Sequence, residues 1–249
     1  MNSISNNIIL SEQSWGTCKI ENLCRVFRCT VDYFESILLE QYKHNIPCKV
    51  EHWDKDYPQC SGNSVVHLIF LTSKDCCWDK HTFQFAHEYC HHLINIELTG
   101  NMVGAFWFEE TICELASLYC LIKNANTWKS NPPYPNWTDY AQNFTAYYKN
   151  EINEENVPIS KLTIAEFIKE NIAILEQPEY QRGLYTYIAK GIIDIFIAYP
   201  SLWNIILLFR NTNYRNENYK GFEAFLNELE VIIPSEVKGY GLLKKRLLG

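Results

Sequence analysis

The chain has 249 residues, 47% of them hydrophobic and 20% charged, enough apolar material for a sizeable core and too regular a mixture for a disordered or fibrous protein. Length alone points to one large domain or two small ones. With 22 Lys and Arg against 29 Asp and Glu, the net charge is -7 and no long basic run occurs, which argues against nucleic acid as the main partner.

The N-terminal MNSISNNIIL lacks the basic start and continuous apolar stretch of an export signal. Residues 30–44 place Val31, Phe34, Ile37, Leu38 and Tyr42 at helical spacing, with Thr30 as N-cap and Pro47 beyond the end. Two strand-like runs follow, Cys48 to Trp53 and Val65 to Thr72, around a turn-rich piece with Pro58 and Gly62. A helix is expected over 79–97, with Asp79 as its cap and Gly100 past its end. A second is expected from about Phe106 to Lys123, on the stripe Phe108, Ile112, Leu115, Tyr119 and Ile122. Residues 124–136 hold three prolines and read as a loop. Beyond it the pattern is helical almost to the end. The most apolar stretch, Leu184 to Phe209, is interrupted by Lys190, Asp194 and Pro200, so it reads as buried helices and argues against a membrane span. Ten cysteines fall between Cys18 and Cys120. A chain this long needs no disulfide framework, so the expectation is reduced thiols in a cytoplasm; the sequons at Asn136 and Asn143 matter only after export.

The first long helix carries His87-Glu88-Tyr89-Cys90-His91. Two His four apart lie one turn above each other, so both imidazoles can reach one ion. Zinc accepts such neutral nitrogens at ~2.0–2.1 Å and keeps one position for water in a catalytic site. Glu88, rotated around the helix, can serve that water as general base while the metal lowers its pKa towards ~7. Eighteen residues separate His91 from Glu110, and Glu114 follows one helical turn later. Glu110 is the candidate third ligand. Glu114 is the candidate for a supporting role, accepting the Nδ1 proton of a ligand His, His87, and so fixing its tautomer. The plainer alternatives are an amphipathic helix with incidental His residues, and an acidic first turn favoured by the helix dipole. The apolar company of the two acids, Phe106, Trp107, Phe108, Ile112, Leu115 and Ala116, weighs for a partner.

HEYCHH followed by WFEETICELAS resembles the gluzincin metallopeptidases, whose signature is HExxH, eighteen residues, then Glu. Thermolysin-like members continue NExxSD around the third ligand; here Glu109 stands at the Asn and Glu114 at the Asp. Aminopeptidase-N-type members carry a catalytic Tyr some 60 to 70 residues further on, and this chain has Tyr180-Gln181-Arg182-Gly183 seventy residues after Glu110. The resemblance implies one Zn2+ per chain held by His87, His91 and Glu110, with Glu88 catalytic and Tyr180 donating its hydroxyl to the oxyanion. It implies a peptide or protein substrate aligned along an edge strand, Val65 to Thr72, by β-augmentation. The stretch 62–68 lacks the Glu with which aminopeptidases hold a free amine, which leaves endopeptidase action open.

The expected fold is α+β and zincin-like. A small mixed sheet with helices occupies 1–100 and carries the edge strand and the HExxH helix. A mostly helical part, 101–249, carries Glu110 and Tyr180, with the active-site cleft between. The alternative function is a metal-binding regulatory module, or a degenerate peptidase, acting by binding a partner. His92 is turned about 100° from His91 and is not expected on the same ion. Cys90 and Cys113 lack CxxC spacing and read as buried thiols. Leu242 to Leu248 reads as a helix docked by its leucines, and Asn211 to Lys220 as a solvated loop.

Overall fold

The computed structural model describes residues 2–12, 15–98, 103–153 and 155–249. It is a mixed α+β structure in two compact units, the first formed by Met1–Ser36, His44–Thr99 and Ala116–Asn150, the second by Ile37–Lys43, Gly100–Leu115 and Glu151–Gly249. The boundary expected at residue 100, and Gly100 as a helix cap, lie outside the described residues.

The first unit is built on a five-stranded sheet: β1 (Ser3–Ser5), β2 (Ile8–Leu10), β3 (Cys48–His52), β4 (Gln59–Gly62) and β5 (His67–Leu71), in the order β1-β2-β3-β5-β4. The inner pairs β2/β3 and β3/β5 are parallel, and β1 and β4 are antiparallel to their neighbours. Alternation explains β5, where His67, Ile69 and Leu71 are buried and Leu68 and Phe70 are half-buried. Ile69 lies opposite Val50 of β3. The edge-strand expectation is corrected here. β5 lies inside the sheet, and the edge is β4, which folded out of the turn-rich piece. The cause is local. Gly62 has φ 144° and the Asn63 amide bonds to the Val66 carbonyl at 3.1 Å, while the Asn63 side chain accepts from the Val65 and Val66 amides. The chain therefore doubles back at 63–66, and Val65 and Val66 are spent on the turn.

Helix α1 (Ile20–Glu35) starts ten residues before the expected one and stops at Glu35. Thr30 is a buried interior residue of its apolar face, with Leu23, Val26, Phe27, Val31 and Phe34, and not a cap. The periodicity over 30–44 captured only its last turns, because Leu39 and Lys43 are extended around a short 3₁₀ turn, Glu40–Tyr42. Helix α2 (Trp78–Ile94) packs on α1 through Phe27 against Phe85, ring centroids 4.5 Å apart, and Phe34 against Tyr89. Its N-cap is Cys77, with Asp79 in the first turn. Gln84 fixes α2 to the end of β5: its Oε1 accepts from the Thr72 and Ser73 amides and its Nε2 donates to Thr72 Oγ1 at 2.7 Å. Helix α3 (Phe106–Thr127) runs one turn beyond its expected end, and α4 (Ala141–Glu151) follows a 3₁₀ stretch, Pro135–Tyr140. Ser117 of α3 donates to the Phe83 carbonyl of α2, and Asn124 to Thr82.

The second unit is helical: α5 (Ile164–Leu175), α6 (Arg182–Ala198), a 3₁₀ stretch Pro200–Asn211, α7 (Phe222–Ile232) and α8 (Tyr240–Leu248). Thr163 and Glu166 close a capping box on α5. Phe108 packs among Phe209, Phe222 and Phe225. Leu243 and Leu247 of α8 are buried, as expected of a docked tail helix. Among the described residues no single helix is long and apolar enough to cross a membrane. Helix α6 and the stretch after it pass that test only together, and they are bent by 118° at their break.

Candidate metal centre

The turn-and-strand frame of the first unit holds α2 by both ends, and the middle turns of α2 carry the histidine motif. His87 and His91 lie on one helix face with ring centroids 5.1 Å apart at 63°. Both are 8% exposed, and Glu88 beside them is buried. Two imidazoles held this way have the donor chemistry of a borderline divalent ion such as zinc.

The other expected site residues lie in the second unit. Glu110 is buried in the first turns of α3, and its charge is felt by Tyr185, whose phenol is held above its ordinary pKa by burial first and by Glu110 in addition. Glu114 accepts from the Thr186 hydroxyl at 2.9 Å and from Arg182 Nη2 at 3.4 Å. Arg182 also donates to Glu151 at 2.7 Å. Tyr180 stands just before α6, 48% exposed, its ring 5.3 Å from that of Tyr185. Glu109, at the position of the family's Asn, accepts from the Tyr214 hydroxyl at 2.7 Å and from Arg215 at 3.2 Å. Reading 211–220 as a solvated loop therefore missed Tyr214 and Arg215, which turn inward to meet a buried acid. Arg182 was visible only as a neighbour of Tyr180. No periodicity marks either arginine, because each is chosen by a carboxylate far away in sequence.

A second grouping also escaped the sequence. His44, His67 and His92 converge in the first unit, each offering one ring nitrogen, and these three atoms lie within 4.8 Å of one another. Burial holds His67 below the ordinary imidazole pKa and His92 well below it, so both rings are neutral at pH 7. The cysteines read as buried thiols are buried: Cys90 and Cys113 have that environment, as do Cys24, Cys48 and Cys120. Burial pushes the Cys48 thiol up to about 12. No family model, no curated protein and no solved structure matches this chain.

Proposed function

We infer that this chain is a zinc-dependent peptidase of the gluzincin type with a zincin-like fold. The observation that carries the reading is the pair His87 and His91, one turn apart and buried on one face of α2, with the buried carboxylate of Glu88 next to them. The mixed sheet supports it, because α2 follows β5 directly and the sheet ends in an antiparallel edge strand, β4, whose outward backbone groups can align an extended peptide. His87, His91 and Glu110 would hold the ion. A bound zinc supplies Lewis acidity, lowering the pKa of a coordinated water and polarising the scissile carbonyl. Glu88 takes the proton from the attacking water and passes it to the leaving amine. Tyr180, half exposed, donates its hydroxyl to the developing oxyanion. Glu114, held by Thr186 and Arg182, is the residue that orients a ligand histidine. The substrate is a peptide or protein.

The test is a peptide library presented to zinc-loaded protein beside Glu88→Gln. The expected result is cleavage by the wild type and a loss of at least about 10²-fold in the variant, the scale of general acid–base catalysis, at unchanged zinc content. Retained cleavage in a metal-loaded Glu88→Gln protein overturns the mechanism. Tyr180→Phe with undiminished turnover removes Tyr180 from it.

A further inference from the structure

Beyond the helix face that carries His87 and His91, the last turn of α2 presents His92 about 100° away. There it meets His67, the first residue of β5, and His44, from the segment leading into β3. The three rings pack edge to face, with centroids 4.9 Å apart for His67–His92 and His44–His92 and 5.5 Å for His44–His67. His67 and His92 are buried and His44 is half-buried, so His44 is the most exposed member of the group. We propose that His44, His67 and His92 form a second divalent-metal site, a three-imidazole centre for Zn2+ or an ion of similar softness, separate from the pair His87 and His91.

The hydrogen bonds prepare these rings as ligands. His67 Nε2 donates to the Ile96 carbonyl at 3.1 Å, which leaves a lone pair on Nδ1. His44 Nε2 lies 2.5 Å from the His92 carbonyl, and its Nδ1 accepts the Ile46 amide at a long 3.3 Å. A ring whose far N–H rests on a backbone carbonyl is fixed in tautomer and orientation, as metal-bound histidines are. The Nδ1 atoms of His67 and His92 face each other at 2.7 Å. One of them must carry the shared proton, and that belongs to His92, because His67 already donates through Nε2. Moving that proton to Nε2 of His92 costs no net ionisation and turns both Nδ1 lone pairs toward one point. A tetrahedral ion with bonds of ~2.0–2.1 Å holds its nitrogens ~3.3 Å apart, so the two rings need part by only about 0.6 Å. Space for His67 comes from Gly62 across the β4/β5 pair, where a Cβ would stand 2.8 Å from His67 Cα. Three imidazoles suit zinc, copper or nickel and give nothing to calcium or magnesium, which want oxygen.

The experiment counts Zn2+ and Co2+ bound per chain by equilibrium dialysis. It compares wild type, His87→Ala/His91→Ala, His44→Gln, and all three substitutions together, with circular dichroism to verify folding. The expected result is two ions in the wild type, one in His87→Ala/His91→Ala, and none in the triple variant. In the His87→Ala/His91→Ala background, His44→Gln should weaken binding by more than the ~10–100-fold that loss of an outer hydrogen-bonding partner costs. If the proposed peptidase centre is wrong and this site is right, the wild type binds one ion that survives His87→Ala/His91→Ala and is lost in His44→Gln. Zinc-edge X-ray absorption on His87→Ala/His91→Ala protein needs no change in the cluster and should give nitrogen ligands with imidazole scattering. A sulfur shell from the cysteines, binding indifferent to His44→Gln, or no ion bound to His87→Ala/His91→Ala would each overturn the site.

Discussion

His81 shows what burial does to a single group. Its Nε2 donates to the Asp75 carbonyl at 2.9 Å and its Nδ1 accepts from Ser73 Oγ at 2.6 Å, a neutral tautomer with both ring nitrogens satisfied. Burial pushes its pKa down to about 4, outweighing the opposing pull of the Asp75 carbonyl. The unfolded chain, with an ordinary imidazole near ~6.5, binds more protons than the folded one between those values, so stability rises with pH across that window. The contribution is complete above about pH 6.5 and is lost as pH falls towards 4, a change of roughly 2–3 kcal/mol between pH 7.5 and 4.5 at ~1.36 kcal/mol per unit. Urea midpoints at both pH values should show it as a difference between wild type and His81→Gln, with the variant's curve flatter. Equal slopes would mean that His81 opens to solvent before it protonates. Glu109 illustrates the opposite remedy for a buried group: 1% exposed, its carboxylate accepts from the Tyr214 hydroxyl and from Arg215.

At the scale of elements, the β4/β5 hairpin tests how sequence becomes geometry. Gly62 combines φ 144° with a site where a Cβ would approach the Val66 carbonyl oxygen to 2.3 Å. Gly62→Ala must therefore change both torsion and spacing, and should destabilise by about 1–3 kcal/mol, read as a lowered urea midpoint. A neutral result would show that the turn relaxes without cost. The same hairpin marks the limit of what the residues disclose in order. The long helices were legible because their stripes persist: α2 and α3 fall within a few residues of where Asp79 to Glu97 and Phe106 to Lys123 put them. Alternation gave the inner strands β3 and β5. It did not give β4, whose four residues, Gln-Cys-Ser-Gly, have no apolar alternation and become a strand only because Asn63 and Gly62 turn the chain onto β5. Nor did it give β1 and β2, three residues each. Helix α1 was misplaced because its N-cap, Lys19, carries no capping hydrogen bond from its side chain, while Thr30 looks like a cap and is core. The site divides in the same way. His87, Glu88 and His91 are legible because one helical turn brings them together. The partners of Glu109 and Glu114, and the meeting of His44 with His67 and His92, depend on tertiary packing that spacing alone does not encode.

For the whole molecule, the proposed zinc ties function to stability. The proposed ligands His87, His91 and Glu110 are spread along the sequence, so an ion bound by the folded chain and not by the unfolded one would stabilise the native state by mass action, ~2.7 kcal/mol at a free concentration one hundred times Kd. Domains of this size shift by roughly 2–4 °C per kcal/mol, so saturating zinc should raise Tm by about 5–10 °C and a strong chelator should reverse it. Ten cysteines make the control essential, because zinc held by unfolded thiolates lowers the apparent gain. The discriminating comparison is therefore between variants that leave every thiol in place. Glu110→Gln and His91→Ala should each remove the part of the rise that belongs to this centre, while Glu88→Gln should keep it and lose only hydrolysis. A rise unaffected by Glu110→Gln would remove Glu110 from the ligand set. A rise lost with Glu88→Gln as well would make Glu88 a ligand and leave the water without its base. Because the wild-type rise includes any ion at His44, His67 and His92, the residual shift in His91→Ala should vanish on adding His44→Gln. The two centres can thus be resolved by scanning calorimetry on the intact chain, without an assay for the substrate.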